Sequence, residues 1–268
     1  MIYRFYVQPE QIIDGRILIS GVDVNHIKNV LRMKLGETLI ICDGKGMDYH
    51  CEIISLGKEE IWVKEISHSL TDTELPVKIT LFQGIPKKDK MELIIQKAVE
   101  LGVTEVVPVT MKRCVAKLED EKKERKKRER WQMIAEAAAK QSRRGILPIV
   151  KPSMTYIQAL EQAKKMNMIL IPYEHELGMK HTKEVFQKMV SFIDAKKDFF
   201  VSPFSNLPNI SIGIFIGPEG GFELEEIETA RKAGAEIISL GKRILRTETA
   251  GLSVLSILMY ELECNIER

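Results

Sequence analysis

SIGIFIGPEGGF, residues 211–222, places an apolar run of β-type residues directly before a loop that contains three glycines. The β-branched and aromatic residues of the run are typical of a buried strand, and the residues after the loop have helical apolar spacing. Glycine lets a ligand approach bare backbone, so the loop is predicted to bind a ligand. A tight strand-to-helix connection also uses glycine, but three glycines around Pro218 and Glu219 favour the ligand loop.

A second loop of this kind, LGKRILRTETA at residues 240–250, also lies between a predicted strand and a predicted helix. Thr247 is the predicted N-cap of that helix. The loop carries both signs of charge. Its two central apolar residues can alternatively be core, with Arg246 paired to Glu248 or Glu219.

Residues 16–67 have the pattern of a small β-barrel. Short β-rich runs separated by glycine-containing turns occur at residues 17–19, 38–41, 49–54 and 61–63. One helical interruption, residues 22–33, is predicted to turn four apolar residues toward a core: Val22, Ile27, Val30 and Leu31. The other side of this helix can hold His26, Lys28 and Arg32. The polar residues 69–76 end in proline and are the predicted linker.

After residue 77 strands alternate with helices, which is typical of an α/β domain with a mostly parallel sheet. The predicted strands include residues 78–82, 106–109, 168–171, 211–216 and 236–240. The predicted helices include residues 90–101, 122–142, 156–163, 223–232 and 247–263. Residues 174–209 are less regular, with a helical pattern at 183–192 followed by a proline-containing stretch, and we interpret them as a variable excursion.

Composition excludes several classes of protein. A chain of 268 residues with 44% apolar residues can form one or two domains with a sizeable core. The four cysteines have no zinc or disulfide spacing, which predicts reduced thiols in a cytoplasmic protein. The N-terminus lacks a signal-peptide pattern, and the longest apolar run, residues 250–260, is too short to span a bilayer. No P-loop and no G-x-G-x-x-G motif is present.

The distribution of charge points to a polyanionic partner. Residues 77–152 contain 19 Lys and Arg against 10 Asp and Glu, a net charge of +9, whereas residues 1–70 carry −2 and residues 153–268 carry −3. Clustered Lys and Arg gain from displacing phosphate counterions, so nucleic acid is the predicted partner. The interleaved acids in helix 122–144 also permit a merely solvated surface with i,i+4 pairs.

The ligand of the glycine loop is predicted to be neutral or cationic. Four glutamates cluster where the helix after residue 222 begins, namely Glu219, Glu223, Glu225 and Glu226. A phosphate, which would otherwise gain from a helix N-terminus, would meet these carboxylates. A nucleoside that bears a sulfonium fits this field better.

The residues of both loops resemble the signature of the ribosomal RNA small subunit methyltransferase E family. The resemblance covers nearly the whole chain and extends to residues 4–7, 26–32, 87–102 and 129–144. It implies an N-terminal PUA-like β-barrel at residues 1–70 that binds RNA. It also implies a SPOUT α/β domain at residues 76–268 with a mostly parallel sheet and a trefoil knot. Members of the family work as homodimers and use S-adenosyl-L-methionine to methylate N3 of a uridine in 16S ribosomal RNA.

The resemblance also assigns site residues. It implies a cofactor pocket formed by Leu170, Ile171, Pro172, Ile216, Gly217, Pro218, Gly220, Gly221, Leu240, Gly241, Ile244, Leu245, Thr247 and Ala250. Since an arginine near the uracil oxygens would stabilise the developing uracil anion, Arg246 is the first candidate for that role. Glu219 would accept the proton or order its loop. The candidate RNA-binding residues are Arg4, His26, Lys28, Arg32, Arg143 and Arg144.

Partners and alternatives follow from the same interpretation. The expected partners are 16S rRNA, within the 30S subunit, and a second copy of the chain. No membrane is expected, and no metal, because His50, His68, His175 and His181 lack ligand spacing. One alternative is a SPOUT-type methyltransferase with another target, such as a transfer RNA ribose. Another is a non-catalytic ribosome-assembly protein that binds RNA, which would have no use for two glycine-bearing loops.

Overall fold

The computed structural model describes residues 2–115, 120–174, 178–195 and 210–266 of the chain. Two compact units are present, and residues 139–147 group with the N-terminal unit that ends at Glu74. Of the predicted excursion at residues 174–209, residues 175–177, which include His175, and 196–209 lie outside the described residues. The helix predicted at 183–192 is confirmed, since it lies within the helix Met179–Asp194.

A six-stranded sheet forms the first unit. Its order is β1-β4-β5-β6-β3-β2, with β1 parallel to β4 and the other pairs antiparallel. The strands are β1 (Arg4–Tyr6), β2 (Ile12–Ile13), β3 (Arg16–Ser20), β4 (Thr38–Cys42), β5 (Met47–Leu56) and β6 (Glu60–Leu70). Alternation places Ile17 and Ile19 of β3 in one core with Ile61 and Val63 of β6. Burying each such side chain contributes roughly 1.5–3 kcal/mol.

The helical interruption of this unit is α1 (Val22–Asn25) followed by a π-helical turn at His26–Val30. The turn is closed by the Leu31 N–H, which donates to the His26 carbonyl five residues earlier at 2.9 Å. This wider spacing rotates the following residues away from the face that α-helical spacing predicts. Ile27 is buried as predicted, but the inward prediction is wrong for Val22 and Val30, which are 84% and 64% exposed.

The second unit has a parallel sheet with helices along the chain between its strands. In the described part of the chain, the order is β10-β8-β7-β12-β11-β13, β9 also pairs with β8, and each pair is parallel. The strands are β7 (Lys78–Gly84), β8 (Glu105–Thr110), β9 (Ile149–Val150), β10 (Met154–Thr155), β11 (Met168–Pro172), β12 (Ser211–Ile216) and β13 (Glu236–Ile238). The helices are α2 (Lys90–Glu100), α3 (Glu121–Gln141), α4 (Tyr156–Ala163), α5 (Met179–Asp194), α6 (Leu224–Lys232) and α7 (Thr247–Ile266).

The centre of this sheet is the β7–β12 pair, whose register joins Gln83 to Ile216. The rings of Phe82 and Phe215 stack there with centroids 4.4 Å apart. β8 lies on one side of β7 and β12 on the other, so the order of strands reverses at this pair. The predicted α/β domain with a mostly parallel sheet is therefore confirmed. Among the described residues, no helix combines the length and apolar character needed to cross a membrane.

Candidate functional site

A cleft of about 370 Å³ lies in the second unit, where β11 ends at Pro172 and β12 ends at Ile216. Its remaining walls come from the two loops that follow β12 and β13. In open α/β sheets ligands bind outside the carboxyl ends of the strands, which is the edge of the sheet where this cleft lies. The lining residues are Lys90, Pro172, Glu174, residues 216–222, residues 244–247 and Ala250.

The glycine loop is a tight turn anchored at its end by a buried ring. The Gly221 N–H donates to the Pro218 carbonyl at 2.9 Å, and Gly221 has φ +70°, a conformation that favours glycine. Phe222 is buried in the core behind the turn. The next helix then begins with a capping box, in which the Glu226 carboxylate accepts from the Glu223 N–H at 2.8 Å.

A buried chain of hydrogen bonds ties both loops to the central strand. The Gln83 amide donates to the Thr247 hydroxyl at 2.9 Å, and this hydroxyl donates to the Gly217 carbonyl at 2.6 Å. The predicted capping role of Thr247 is wrong, because its hydroxyl is used here and Thr247 is already the first residue of α7. Sequence reasoning missed Gln83, although a polar residue near the end of an otherwise apolar strand is a usable signal.

Glu219 holds its loop through an ion-pair network. Its carboxylate accepts from the Lys87 N–H at 3.0 Å and lies 3.3 Å from the Lys90 ammonium, which is 3.2 Å from the Glu248 carboxylate. Burial alone would raise the pKa of Glu219, but hydrogen bonds from its own N–H and that of Lys87, with the nearby ammonium, bring the pKa below its ordinary value. Glu219 is therefore ionised near neutral pH and a weak proton acceptor. The geometry favours the loop-ordering role over the proton-accepting one.

Arg246 is exposed and has no ion-pair or hydrogen-bond partner for its guanidinium among the residues that the structure describes. The alternative pairing of Arg246 with Glu248 or Glu219 is wrong, because Lys90 pairs with both carboxylates. The core alternative also fails for Ile244, which is 81% exposed. The Arg246 guanidinium is therefore available to a ligand at the edge of the cleft.

A basic turn after β8 holds the glycine loop from outside. The Arg113 guanidinium donates to the Gly220 carbonyl at 2.7 Å and to the Glu223 carboxylate at 2.9 Å. The Lys112 N–H donates to the buried Glu226 carboxylate at 3.0 Å. The hydrogen bond from Arg113 lowers the pKa of Glu223. Sequence reasoning missed this turn, whose partners are more than 100 residues away along the chain.

The cleft brings together most of the predicted cofactor residues. Those that line it are Pro172, Ile216, Gly217, Pro218, Gly220, Gly221, Ile244, Leu245, Thr247 and Ala250, together with the predicted catalytic residues Glu219 and Arg246. Leu170 and Ile171 are fully buried within β11, and Leu240 and Gly241 precede the lining part of their loop. The lining residues that were not predicted are Lys90, Glu174 and Phe222.

Two of the predicted RNA-binding residues are enclosed in ion pairs of the first unit. The Arg4 guanidinium contacts the Asp48 carboxylate at 2.7 Å. The Arg144 side chain is only 3% exposed and donates to Glu74, whose carboxylate also accepts from the Gly145 N–H at 2.8 Å. Both guanidinium groups are therefore engaged by carboxylates of the first unit.

The other predicted RNA-binding residues lie at or near the surface. Lys28 donates to the Gly57 carbonyl and is half-buried, while His26 is exposed and packs edge-on against Phe5 with centroids 6.0 Å apart. Arg32 and Arg143 are exposed. Within the described ranges, no cluster of His, Cys, Asp and Glu could hold a metal ion.

Removing the Glu74 carboxylate is expected to destabilise the first unit by about 3–5 kcal/mol, because Glu74→Ala leaves the Arg144 guanidinium buried without a counter-charge. Urea unfolding measures the change. Asp72→Ala, an exposed carboxylate two residues away, is the matched control and should cost under about 0.5 kcal/mol. Equal losses for the two variants would contradict the structural role of this pair.

Comparison with known proteins places the chain in a class. Residues 73–259 match the model of an RNA methyltransferase domain, and residues 19–66 match that of an RNA methyltransferase PUA domain. The chain thus has the domains of an RNA methyltransferase with an N-terminal PUA domain. The ribosomal RNA small subunit methyltransferase E of Bacillus subtilis is 37% identical over 246 residues, 91% of this chain and 90% of that protein. The chain belongs to the ribosomal RNA small subunit methyltransferase E family, which confirms the resemblance.

Two solved structures resemble the whole chain. The ribosomal RNA small subunit methyltransferase E of Neisseria gonorrhoeae, bound to S-adenosyl methionine, is 30% identical with a TM-score of 0.73, covering 97% of this chain and 98% of that one. A methyltransferase of Legionella pneumophila in complex with the bound cofactor SAM is 31% identical with the same TM-score and coverage.

Proposed function

We propose that the chain transfers a methyl group from S-adenosylmethionine to N3 of a uridine in 16S ribosomal RNA of the small subunit. The observation that carries the proposal is the cleft at the carboxyl ends of β11 and β12, closed by two ordered loops. Membership in the ribosomal RNA small subunit methyltransferase E family supports the substrate. The net charge of +9 over residues 77–152 supports RNA as the partner.

The residues of the cleft fit S-adenosylmethionine. A volume of about 370 Å³ suits a ligand of this size. Pro172, Ile216, Leu245 and Ala250 supply apolar walls for the adenine, and the bare backbone of the glycine loop leaves room for the ribose and methionine parts. Leu170, Ile171, Leu240 and Gly241 would support these walls from behind. Binding of S-adenosylmethionine to the purified chain, measured by calorimetry, tests this half of the proposal, and absence of binding would overturn it.

Bound S-adenosylmethionine supplies the reactive methyl group on its sulfonium sulfur. The protein then has to align uracil N3 with that methyl group and favour the deprotonated base. Arg246 carries the second task, because its guanidinium at the cleft has no partner among the described residues and can stabilise the negative charge that develops on a uracil oxygen. Glu219 holds the glycine loop through Lys87 and Lys90 rather than accepting the proton.

Arg32 and Arg143 are the RNA-contacting residues that we favour in the first unit. Both have left-handed backbones, with φ +55° and +59°. Arg143 lies just past the end of α3, where the Arg144 N–H donates to the Ala139 carbonyl at 2.9 Å. Glycine is the usual residue at such a helix end, since a side chain there costs about 1 kcal/mol. Long basic side chains held in strained positions are characteristic of binding sites.

Arg143→Gly is therefore expected to raise the free energy of unfolding by up to about 1 kcal/mol while it weakens RNA binding. The slope of log affinity against log salt concentration should become shallower by the amount expected for about one phosphate contact. Binding to 16S RNA fragments at several salt concentrations, together with urea unfolding, measures both effects. Asp14→Gly is the control, because Asp14 is an acidic residue with a left-handed backbone at φ +47°. This variant should stabilise the fold without weakening RNA binding. Unchanged RNA affinity of Arg143→Gly would remove this residue from the interface.

The remaining parts of the proposal concern organisation. We propose the functional domains 1–70 and 76–268, with residues 139–147 supporting the first of them. Membership in the family, whose resemblance implies a trefoil knot, supports a knot in the second domain. The side of α7 that carries the exposed Ser256 and Tyr260 supports a homodimer, whereas Gly251 is buried against Ile216. Action on the 30S subunit in the cytoplasm follows from the proposed substrate.

A further inference from the structure

Glu174 is a cleft residue whose carboxylate interacts electrostatically with the Arg113 guanidinium, which itself donates hydrogen bonds to Glu223 and Gly220. It follows β11 directly, lines the cleft and is exposed to its interior. In the described part of the chain its carboxylate has no hydrogen-bond or ion-pair partner. Its Oε1 lies 3.3 Å from the point that a Cβ on Gly221 would occupy, so the carboxylate is held against the glycine loop.

The other charged groups around the cleft are accounted for. Glu219 and Glu248 share the Lys90 ammonium, and the Glu223 carboxylate beside the loop is bound by Arg113. Arg246 is reserved for the uracil in the proposed mechanism. The exposed Glu174 carboxylate keeps its hydration in the empty cleft, and it gains from a ligand that brings a positive charge close to it.

We propose that Glu174 recognises the sulfonium charge of S-adenosylmethionine and makes the cleft prefer this cofactor over S-adenosylhomocysteine. The inference rests on the proposed function and deepens it. The two molecules share the adenosine, the ammonium and the carboxylate, and differ by the methyl group and the positive charge on sulfur. On transfer the N3 proton is lost to water, the carbon–sulfur bond breaks with its electron pair staying on sulfur, and the methyl carbon bonds to the N3 lone pair. The product sulfur is then neutral, and its attraction to Glu174 is lost.

Calorimetry with both ligands tests the proposal. For Glu174→Gln we expect the affinity for S-adenosylmethionine to fall about three- to tenfold, with less than about a twofold change for S-adenosylhomocysteine. The sign-reversing variant Glu174→Lys should lose more affinity for S-adenosylmethionine than Glu174→Gln does. In the wild type, 1 M salt should reduce the preference for S-adenosylmethionine over S-adenosylhomocysteine. Glu228→Gln, the same charge change on the exposed side of α6, is the control and should leave both affinities unchanged.

The outcomes distinguish failure of this inference from failure of the proposed function. Equal losses for both ligands and for adenosine would show that Glu174 binds the ribose hydroxyls, and unchanged affinities would show that it binds nothing; either result overturns the proposal. Failure of the wild-type chain to bind S-adenosylmethionine would instead overturn the proposed function. Circular dichroism of each variant establishes that the fold is retained.

Discussion

Arg246→Ala is expected to slow methyl transfer about 100- to 1000-fold in single-turnover experiments, while the affinity for S-adenosylmethionine changes less than about threefold. The reason is that its guanidinium stabilises charge that develops on the uracil, whereas its main-chain carbonyl holds the start of α7. The Arg246 carbonyl accepts from the N–H groups of Thr249 and Ala250 at 2.9 and 2.8 Å, and these bonds survive the substitution.

The matched control is Arg243→Ala, which removes an exposed arginine from the same loop but outside the cleft lining. It should leave the single-turnover rate within about twofold of wild type. Arg246→Lys should recover part of the rate, because an ammonium keeps the charge but not the planar geometry. An unchanged rate for Arg246→Ala would remove the residue from the mechanism.

Gly220→Arg is expected to abolish cofactor binding without unfolding the protein. A Cβ on Gly220 would lie 2.9 Å from the Cβ of Arg113, the residue that holds this loop through the Gly220 carbonyl. The new side chain must displace Arg113 or turn the loop into the cleft, and it adds a positive charge beside a cationic ligand. We expect at least about a 100-fold loss of affinity, which corresponds to about 2.7 kcal/mol.

Glu228→Arg is the matched control for the effect of a new arginine on stability. Because the contacts that Arg113 loses are exposed, Gly220→Arg should stay folded, with a urea midpoint modestly below that of Glu228→Arg, which places the same side chain on open surface. Arg113→Ala should weaken cofactor binding less, since the loop keeps its own turn and the contacts of Glu219 with Lys87 and Lys90. Normal cofactor affinity in Gly220→Arg would contradict the position of the ligand in the cleft.

The strands, the helices and the type of sheet could be predicted because they depend on local periodicity in the sequence. Two patterns depend only on neighbours along the chain. Apolar and polar residues alternate in β3 to β6, and apolar runs precede the loops after β11 and β12. The π-helical turn at His26–Val30 was not predicted, and it breaks the regular helical spacing from which the inward position of Val30 was predicted.

The partners of charged residues could not be predicted in this way. Arg144 and Glu74 are 70 residues apart, and Arg113 and Gly220 are 107 apart. Which lysine or arginine reaches Glu219 depends on tertiary packing, and no spacing along the sequence specifies Lys90. The glycines show a related limit: Gly220 was interpreted as room for a ligand, whereas the structure uses part of that room for Arg113.

The most direct test of the central claim is transfer of labelled methyl from S-adenosylmethionine to 30S particles from cells that lack the enzyme, with the modified nucleoside identified by mass spectrometry. The account predicts N3-methyluridine in 16S RNA with wild-type protein and a strongly reduced yield with Arg246→Ala. No incorporation by a chain that binds the cofactor, or methylation of a different nucleoside, would contradict it.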